Sequence, residues 1–208
     1  AYQRETFRDD DHVRIHPIIT KGGNLVNVVP DEVVIETLVR AANKDAIADA
    51  AAKTDRAFKA GAIAVGASCE VTTMPGYLPA LSEKADASVL TAAEIAAQTS
   101  EKDYQIVQED THAYSGGSTD VGDVQHLQPV LTFNTGGKVS GLHSVDFDIV
   151  DEELAYVVTA KIFALSAYRL LRDRAVKAKE IVANYQPIFT KEEYIKYMDS
   201  FIKTETYS

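Results

Sequence analysis

Apolar and polar residues alternate along two early stretches of the chain, and this alternation constrains the fold more than any other feature. Residues 12–20 place Ile15 and Ile19 on one face and Arg14 on the other. Residues 31–40 repeat the pattern, again with apolar side chains on one face and charged ones on the other. A period of two residues is typical of a β-strand. The sequence therefore predicts two strands before residue 41.

The segments around these strands predict a small α+β unit. Pro17 indicates an edge strand or a bulge, and "KGGN" (21–24) is a turn signal. Asn43 is suited to cap a helix, and Gly66 is suited to end it. Residues 68–74 then alternate as a third strand. The order strand, strand, helix, strand predicts one small sheet with helices on one face.

The composition changes near residues 80–85, and we place a domain boundary there, between residues 1–82 and 83–208. The second part is richer in helical patterns than the first. Its predicted elements are an alanine-rich helix (85–99), a buried strand (129–135), a helix from 151 to about 184, and a last helix that a Thr190–Glu193 capping box opens.

The charge and cysteine content exclude several classes of function. The 208 residues carry a formal net charge of −10, which disfavours nucleic acid or an anionic membrane as the main partner. No uninterrupted apolar run approaches the ~18 residues that a membrane span requires. The single cysteine, Cys69, excludes an internal disulfide and lies in a strand-like pattern, as a buried thiol would. A reducing cytoplasm suits this composition.

His143 is the histidine with the most suggestive surroundings. The five histidines include no pair at the spacing of a helical metal site, and the chain has neither a GxSxG elbow nor a P-loop. His143 lies in the loop-like "GKVSGLHSVDFD" (137–148), close to Asp146 and Asp148. One interpretation is that His143 binds a metal ion, with carboxylates as the other ligands. The other is that it caps the following helix. The residues alone leave both interpretations open.

Other polar residues also admit two interpretations each. In "STDVGDV" (118–124), Asp120 and Asp123 could face a ligand, or Ser118 or Asp120 simply caps a short helix. Asn27, within an apolar run, is either a turn amide or a donor to a ligand carbonyl. Arg40 ends the second strand, where it is either solvated or bound to a substrate carboxylate. His16 is either an exposed strand residue or part of the same site.

Three stretches together resemble a known enzyme family. They are residues 14–41, 118–124 and 141–156, and in this order they resemble the zinc-dependent amidohydrolases and peptidases that include aminoacylases and glutamate carboxypeptidases. The aminobenzoyl-glutamate branch of that family is the nearest. The resemblance covers most of residues 10–165, and the tail after about residue 170 matches nothing in it.

The resemblance implies an α/β catalytic domain that is interrupted by a small α+β lid, through which a homodimer forms. Residues 1–82 then correspond to part of the lid, and residues 83–208 to the C-terminal part of the catalytic domain with a helical tail. His143 would bind one of two zinc ions, with manganese or cobalt as possible substitutes. Asn27 would reach a substrate carbonyl in the partner subunit, and Arg40 would hold a substrate carboxylate.

The same resemblance implies that the "STDVGDV" loop lies near the active site, and we expect His16 and Asp120 to lie close to the substrate. It also implies that the other metal ligands and the general base precede Ala1. We therefore expect a C-terminal segment of an enzyme that cleaves the amide of N-acyl amino acids or dipeptides, such as aminobenzoyl-glutamate, and that is inactive without the missing part. The alternative is a non-catalytic binding or dimerisation module. A self-contained metalloenzyme using His112, His126 and His143 is a third hypothesis.

Overall fold

The structure is a computed structural model that describes residues 5–81, 104, 119–141 and 143–208. The chain divides into two compact units. One contains Ala1–Pro79, Gly116–Gly122 and Lys191–Ser208, and the other contains Ala80–Ser115 and Asp123–Thr190. Helix and strand both contribute substantially, at 44% and 17%, which is consistent with a general α+β fold. The predicted helix at 85–99 lies outside the described residues.

An antiparallel hairpin opens the first unit and confirms both early strands. Strand β1 (Arg14–Lys21) pairs with β2 (Val34–Arg40). The pairing sets Pro17 opposite Thr37, on a strand that has one neighbour among the described residues, which is the edge position that a proline tolerates. The register shifts between Ile19 and Lys21, next to the connecting loop.

Helix α1 (Lys44–Ala64) begins and ends where its capping residues predict. The Asn43 side chain accepts a hydrogen bond from the Ala46 backbone N–H at 2.9 Å, which satisfies one of the free amides of the first turn. At the other end Gly66 has a φ of +70°. The amides of Gly66 and Ala67 donate back to the carbonyls of the last turn, at 3.1 and 2.9 Å, as in a Schellman motif.

The third strand is confirmed, but the expectation of one small sheet is wrong. Strand β3 (Cys69–Thr73) pairs with a C-terminal strand, β6 (Lys203–Tyr207), and β1 pairs with β2 in a separate sheet. The terminal strand was not predicted, and it gives β3 a partner other than the hairpin. Both sheets contact α1, and the Lys59 ammonium lies 4.0 Å from the centre of the Tyr207 ring.

The second unit is built mainly from helices. Its elements, in chain order, are α2 (Val121–Gln125), which starts in the first unit, β4 (Lys138–Val139), β5 (Asp148–Ile149), a π-helical turn (Glu153–Val158) and α3 (Thr159–Asn184). Val158 and Ile162 are buried at its centre, packed against Tyr104, Phe133, Leu154 and Leu165. In the first unit, a last helix, α4 (Lys191–Asp199), begins directly after Thr190, which confirms the predicted helix start.

Residues 129–135 do not form the predicted strand. They make no strand pairing with the residues that the structure describes, although alternate side chains from Leu131 to Thr135 are half-buried. Contacts with the helical segment hold them instead. Phe133 packs on Phe163 with ring centres 4.8 Å apart, and the Thr135 and Thr159 hydroxyls are 2.8 Å apart. The apolar residues of 129–135 therefore pack against a helix, and do not indicate a strand of a sheet.

The long helical segment is confirmed, with an interruption. Arg172 to Ala175 have non-helical backbone angles, three of them with positive φ. Although polar residues interrupt its apolar runs, Glu153–Asn184 is long and apolar enough to cross a membrane by length and composition, with a mean hydropathy of 1.4 over its best 18 residues. Core helices of water-soluble proteins share these properties, so the finding does not locate the protein.

Candidate functional site

His143 lies in the loop that connects β4 and β5. The two strands pair through Lys138 with Ile149 and Val139 with Asp148, so residues 140–147 form the loop. His143 has a φ of +68°, an uncommon conformation for a residue other than glycine. Its side chain is exposed and makes no hydrogen bond with the residues that the structure describes. The imidazole therefore has no structural hydrogen bond with the described residues and is accessible to a ligand.

The two carboxylates near His143 accept hydrogen bonds from the loop itself and from the adjacent backbone. Asp146 accepts hydrogen bonds from the Ser144 and Ser140 hydroxyls, the latter at 2.8 Å. These bonds, that from Ser144 above all, hold the pKa of Asp146 below its ordinary value. Asp148 accepts from the Ile149 amide at 2.8 Å. Both aspartates already have protein donors, which does not favour them as partners of His143 in a metal shell.

The interpretation of His143 as a helix cap is wrong. Asp151 caps the helical segment instead, because its carboxylate accepts from the Leu154 amide at 3.1 Å. The Gly137 carbonyl accepts from the Val150 and Asp151 amides at 2.8 and 3.1 Å, and so joins the base of the hairpin to the helix start. His143 lies several residues earlier, in the loop.

The described residues do not form a metal site by themselves. Within residues 5–81, 104, 119–141 and 143–208, no three histidine, cysteine or acidic side chains come together. His126 is 3% exposed and stacks on Phe189 with ring centres 6.0 Å apart. Such packing gives His126 a structural role and argues against the self-contained metal centre. His112 lies outside the described residues.

Asn27 lies in the loop between β1 and β2. It occupies a turn in which the Val28 amide donates to the Leu25 carbonyl at 3.3 Å. The Asn27 side chain is exposed and makes no hydrogen bond with any described residue. Aliphatic side chains on both sides are exposed as well: Leu25, Val26, Val28 and Val29. The loop therefore presents a free amide within an apolar surface.

Arg40 ends β2 with an unsatisfied donor. Its side chain is half-buried, and its Nε is buried without a hydrogen-bond partner among the described residues. An unpaired buried donor costs free energy that a bound acceptor would recover. The register sets Arg14 directly opposite Arg40 and His16 opposite Leu38, with the His16 side chain exposed.

Asp120 immediately precedes α2, where a capping residue belongs. Its carboxylate accepts from the neighbouring Thr119 hydroxyl at 2.9 Å, and the Thr119 carbonyl accepts from the Gly122 amide at 3.2 Å. The Asp120 side chain is exposed. Asp123 lies inside the helix rather than in a loop. Among the described residues, no hydrogen bond or ion pair joins Asp120 to Arg40 or Asp123 to His143.

Sequence reasoning missed the position of Arg14. The alternation places Arg14 and His16 on one face of β1, but the pattern within a strand does not give the register with the next strand. The connection between β1 and β2 runs from residue 22 to residue 33, too long for a tight turn to fix that register. Predicting that Arg14 lies opposite Arg40 would have required knowing the register of β1 against β2.

Comparisons of the chain with protein-family models, with curated proteins and with solved structures found no match.

Proposed function

We propose that this chain is one part of a metal-dependent amidohydrolase that cleaves the amide bond of N-acyl amino acids or dipeptides, with aminobenzoyl-glutamate as the model substrate. The part corresponding to residues 1–82 would act as a lid and dimerisation domain. The part corresponding to residues 83–208 would complete a catalytic domain. As the resemblance implies, the remaining metal ligands would come from other polypeptide.

One observation carries the proposal. Asn27, Arg40 and His143 have roles in the family that the sequence resembles, and none of the three side chains is bound to another described residue. Structural polar residues in the same molecule behave differently, as the capping by Asn43 and Asp151 shows. Uncommitted polar side chains in loops and at a strand end are typical of binding residues.

Each of the three side chains suits its proposed task. The Asn27 amide can donate to a carbonyl oxygen, and it lies on a loop exposed enough to reach a partner subunit. The Arg40 guanidinium can bind a carboxylate through two parallel hydrogen bonds and so orient the substrate. The exposed His143 imidazole can serve as one metal ligand, where about three protein ligands are the usual set.

The exposed apolar surface supports the assignment to a larger assembly. Among the described residues, the buried hydrophobic side chains are Ala41, Ala46, Ala50, Leu78, Val158 and Ile162. Many larger ones are exposed, including Val26 and Leu171. Extensive exposed apolar surface marks an interaction site. The alternative function, a non-catalytic dimerisation module, is favoured by the apolar loop around Asn27.

Expression of the chain with and without its proposed N-terminal part tests the proposal. The chain would be produced alone and as one protein with the polypeptide encoded upstream of Ala1, here called the joined protein. Bound zinc and hydrolysis of aminobenzoyl-glutamate would be measured for both. We expect zinc and turnover in the joined protein, and neither in the chain alone. His143→Ala in the joined protein should lose metal and activity, whereas His16→Ala should retain the metal.

Stoichiometric zinc and turnover from the 208 residues alone would contradict the dependence on other polypeptide. A joined protein that binds no metal, and whose Asn27→Ala and Arg40→Gln variants behave like the parent, would contradict the amidohydrolase. In that case a discrete dimer would favour the dimerisation module.

A further inference from the structure

A strained break interrupts the long helix α3. Arg172 has a ψ of 163°, and Asp173, Arg174 and Ala175 have φ values of +53°, +60° and +60°. These three conformations are left-handed, and residues other than glycine adopt them singly and at a cost rather than in runs. Arg172, Asp173 and Arg174 are exposed and Ala175 is half-buried, so burial offsets little of this strain.

The composition of the break favours a right-handed helix instead. Arginine and alanine are among the residues with the highest helix propensity, and no glycine or proline lies between Gly141 and Pro187. The residues of the break therefore do not account for its conformation. Strained backbone persists where contacts elsewhere in the structure determine it, so the contacts around the break identify what holds it.

Contacts beyond the break hold the segment that follows α3. The Tyr185 hydroxyl donates to the Gln125 carbonyl. The Ile188 and Phe189 amides donate to the His126 carbonyl at 3.0 and 3.1 Å, and the Phe189 ring stacks on that of His126. A continuous helix would instead carry Tyr185 about 15 Å beyond the break along the axis of the first half of α3. Docking on Gln125 and His126 therefore depends on the change of direction that the break introduces.

Arg169 supplies an independent reason for a continuous helix. Its Nε is buried without a hydrogen-bond acceptor among the described residues, which is unfavourable. In a continuous helix Asp173 lies four residues after Arg169 and four before Lys177, the spacing at which opposite charges pair on one face. In the broken helix the Asp173 carboxylate lies 3.6 Å from the Nε of Arg172 instead. Closing the break would give the Arg169 donor an acceptor.

We propose that α3 is a two-state helix, broken while residues 185–189 are docked on Gln125 and His126, and continuous when they are released. Release withdraws the Phe189 ring from His126, which is 3% exposed in the docked state. The helix therefore controls access to that imidazole. This switch is independent of the proposed amidohydrolase, since none of the three residues assigned to that function takes part in it.

NMR of the full 208-residue chain distinguishes the two states. The NOE between the amide and α protons of one residue is strong at positive φ and weaker in a right-handed helix. We expect strong NOEs at Asp173, Arg174 and Ala175 in the parent. In the double variant Tyr185→Phe/Phe189→Ala, which loses the hydroxyl contact and the ring stack, all three should fall to the intensity of neighbouring helical residues. Tyr168→Phe removes an exposed hydroxyl from α3 and should leave them strong.

Glycine substitutions test the same two states through stability. Ala175→Gly relieves a left-handed conformation and should raise the urea midpoint of the parent. Ala178→Gly, at an equally half-buried position in the regular part of α3, should lower it. In the double variant, where position 175 is helical, both substitutions should lower the midpoint.

Two NMR results would overturn the two-state helix. One is a parent in which the three residues of the break show only helical intensities. The other is a double variant that keeps the strong NOEs while its β1–β2 amides stay protected from exchange. If the double variant unfolds, the parent still decides the case, because an Ala175→Gly substitution that lowers the urea midpoint as much as Ala178→Gly contradicts the strained break.

Discussion

At the scale of single residues, the structure separates side chains that hold the backbone from side chains that are free to bind. Asn43 and Asp151 cap helices, and Gly66 ends one. Sequence reasoning finds such residues because a cap depends on a few neighbouring positions. His143 and Arg40 differ, since neither side chain has a hydrogen-bond partner among the described residues, and a role that depends on a distant partner leaves no local pattern. Local patterns therefore predict the caps but leave the candidate site unresolved.

Gly137 gives the sharpest single-residue prediction for stability. A Cβ there would lie 2.6 Å from the Asp151 carbonyl oxygen and 3.0 Å from the Ala155 nitrogen, at a φ of +87°. Gly137→Ala should therefore destabilise the protein by about 2 kcal/mol or more, from backbone strain and collision together. Urea denaturation followed by circular dichroism measures the loss. Gly141→Ala, with open space around the added methyl group, is the matched control and should change stability much less.

Asp55 predicts how stability depends on pH. Burial on α1 raises the pKa of Asp55 above its ordinary value, against the opposing attraction of Lys203. Because the folded pKa is raised, the contribution of Asp55 to stability is fully present below pH 3.8 and is lost as the pH rises through the folded pKa. Asp55→Asn should therefore raise the urea midpoint at pH 7 and leave it nearly unchanged near pH 3.

Asp10→Asn is the control for that measurement, because it removes the same charge from an exposed turn. A stabilisation by Asp55→Asn that is equal at pH 3 and pH 7 would contradict burial as the cause. It would point instead to a packing effect of the amide.

At the scale of elements, prediction succeeds where an element is defined by its own residues and fails where a partner defines it. Strands β1, β2 and β3 and helices α1 and α4 follow from alternation, helical spacing and capping. The pairing of β3 with β6 joins segments more than a hundred residues apart, and no local pattern gives such a pairing. Residues 129–135 have a strand-like composition, but in the structure they contact a helical segment.

The pairing of β3 with β6 predicts that the C-terminal strand protects β3. The Thr72 and Thr204 hydroxyls lie 3.0 Å apart across the pair. Proline at position 204 cannot donate a ladder hydrogen bond and is restricted in φ. Thr204→Pro should therefore speed hydrogen exchange of the Glu70–Thr72 amides at least about tenfold. Amides of the β1–β2 ladder are the internal control, and equal acceleration there would indicate general unfolding instead.

At the scale of the whole molecule, the burial pattern is that of a chain with uncovered apolar surface. Val158 and Ile162 are nearly inaccessible at the centre of a small cluster, while large apolar side chains of α3 such as Tyr168, Leu171 and Val182 are more than half exposed. Covering one such side chain would contribute about 1.5–3 kcal/mol. A negative net charge favours solubility, but burial of these apolar side chains stays favourable.

The exposed apolar side chains of α3 predict that the isolated chain self-associates and binds a hydrophobic dye. Replacing Leu171 and Val182 together with Gln should lower dye fluorescence at least about twofold and shift light scattering towards smaller species, while circular dichroism retains the helical signal. Replacing Val26 and Val29 together with Gln removes comparable exposed surface from the loop around Asn27, and should affect dye binding less. The opposite result would be a discrete dimer that binds little dye and that dissociates when Val26 and Val29 are replaced but not when Leu171 and Val182 are replaced. That result would assign the association to the loop around Asn27. The dimerisation module would then explain this chain better than a part of a catalytic domain, because a completed dimer interface leaves little apolar surface for the dye.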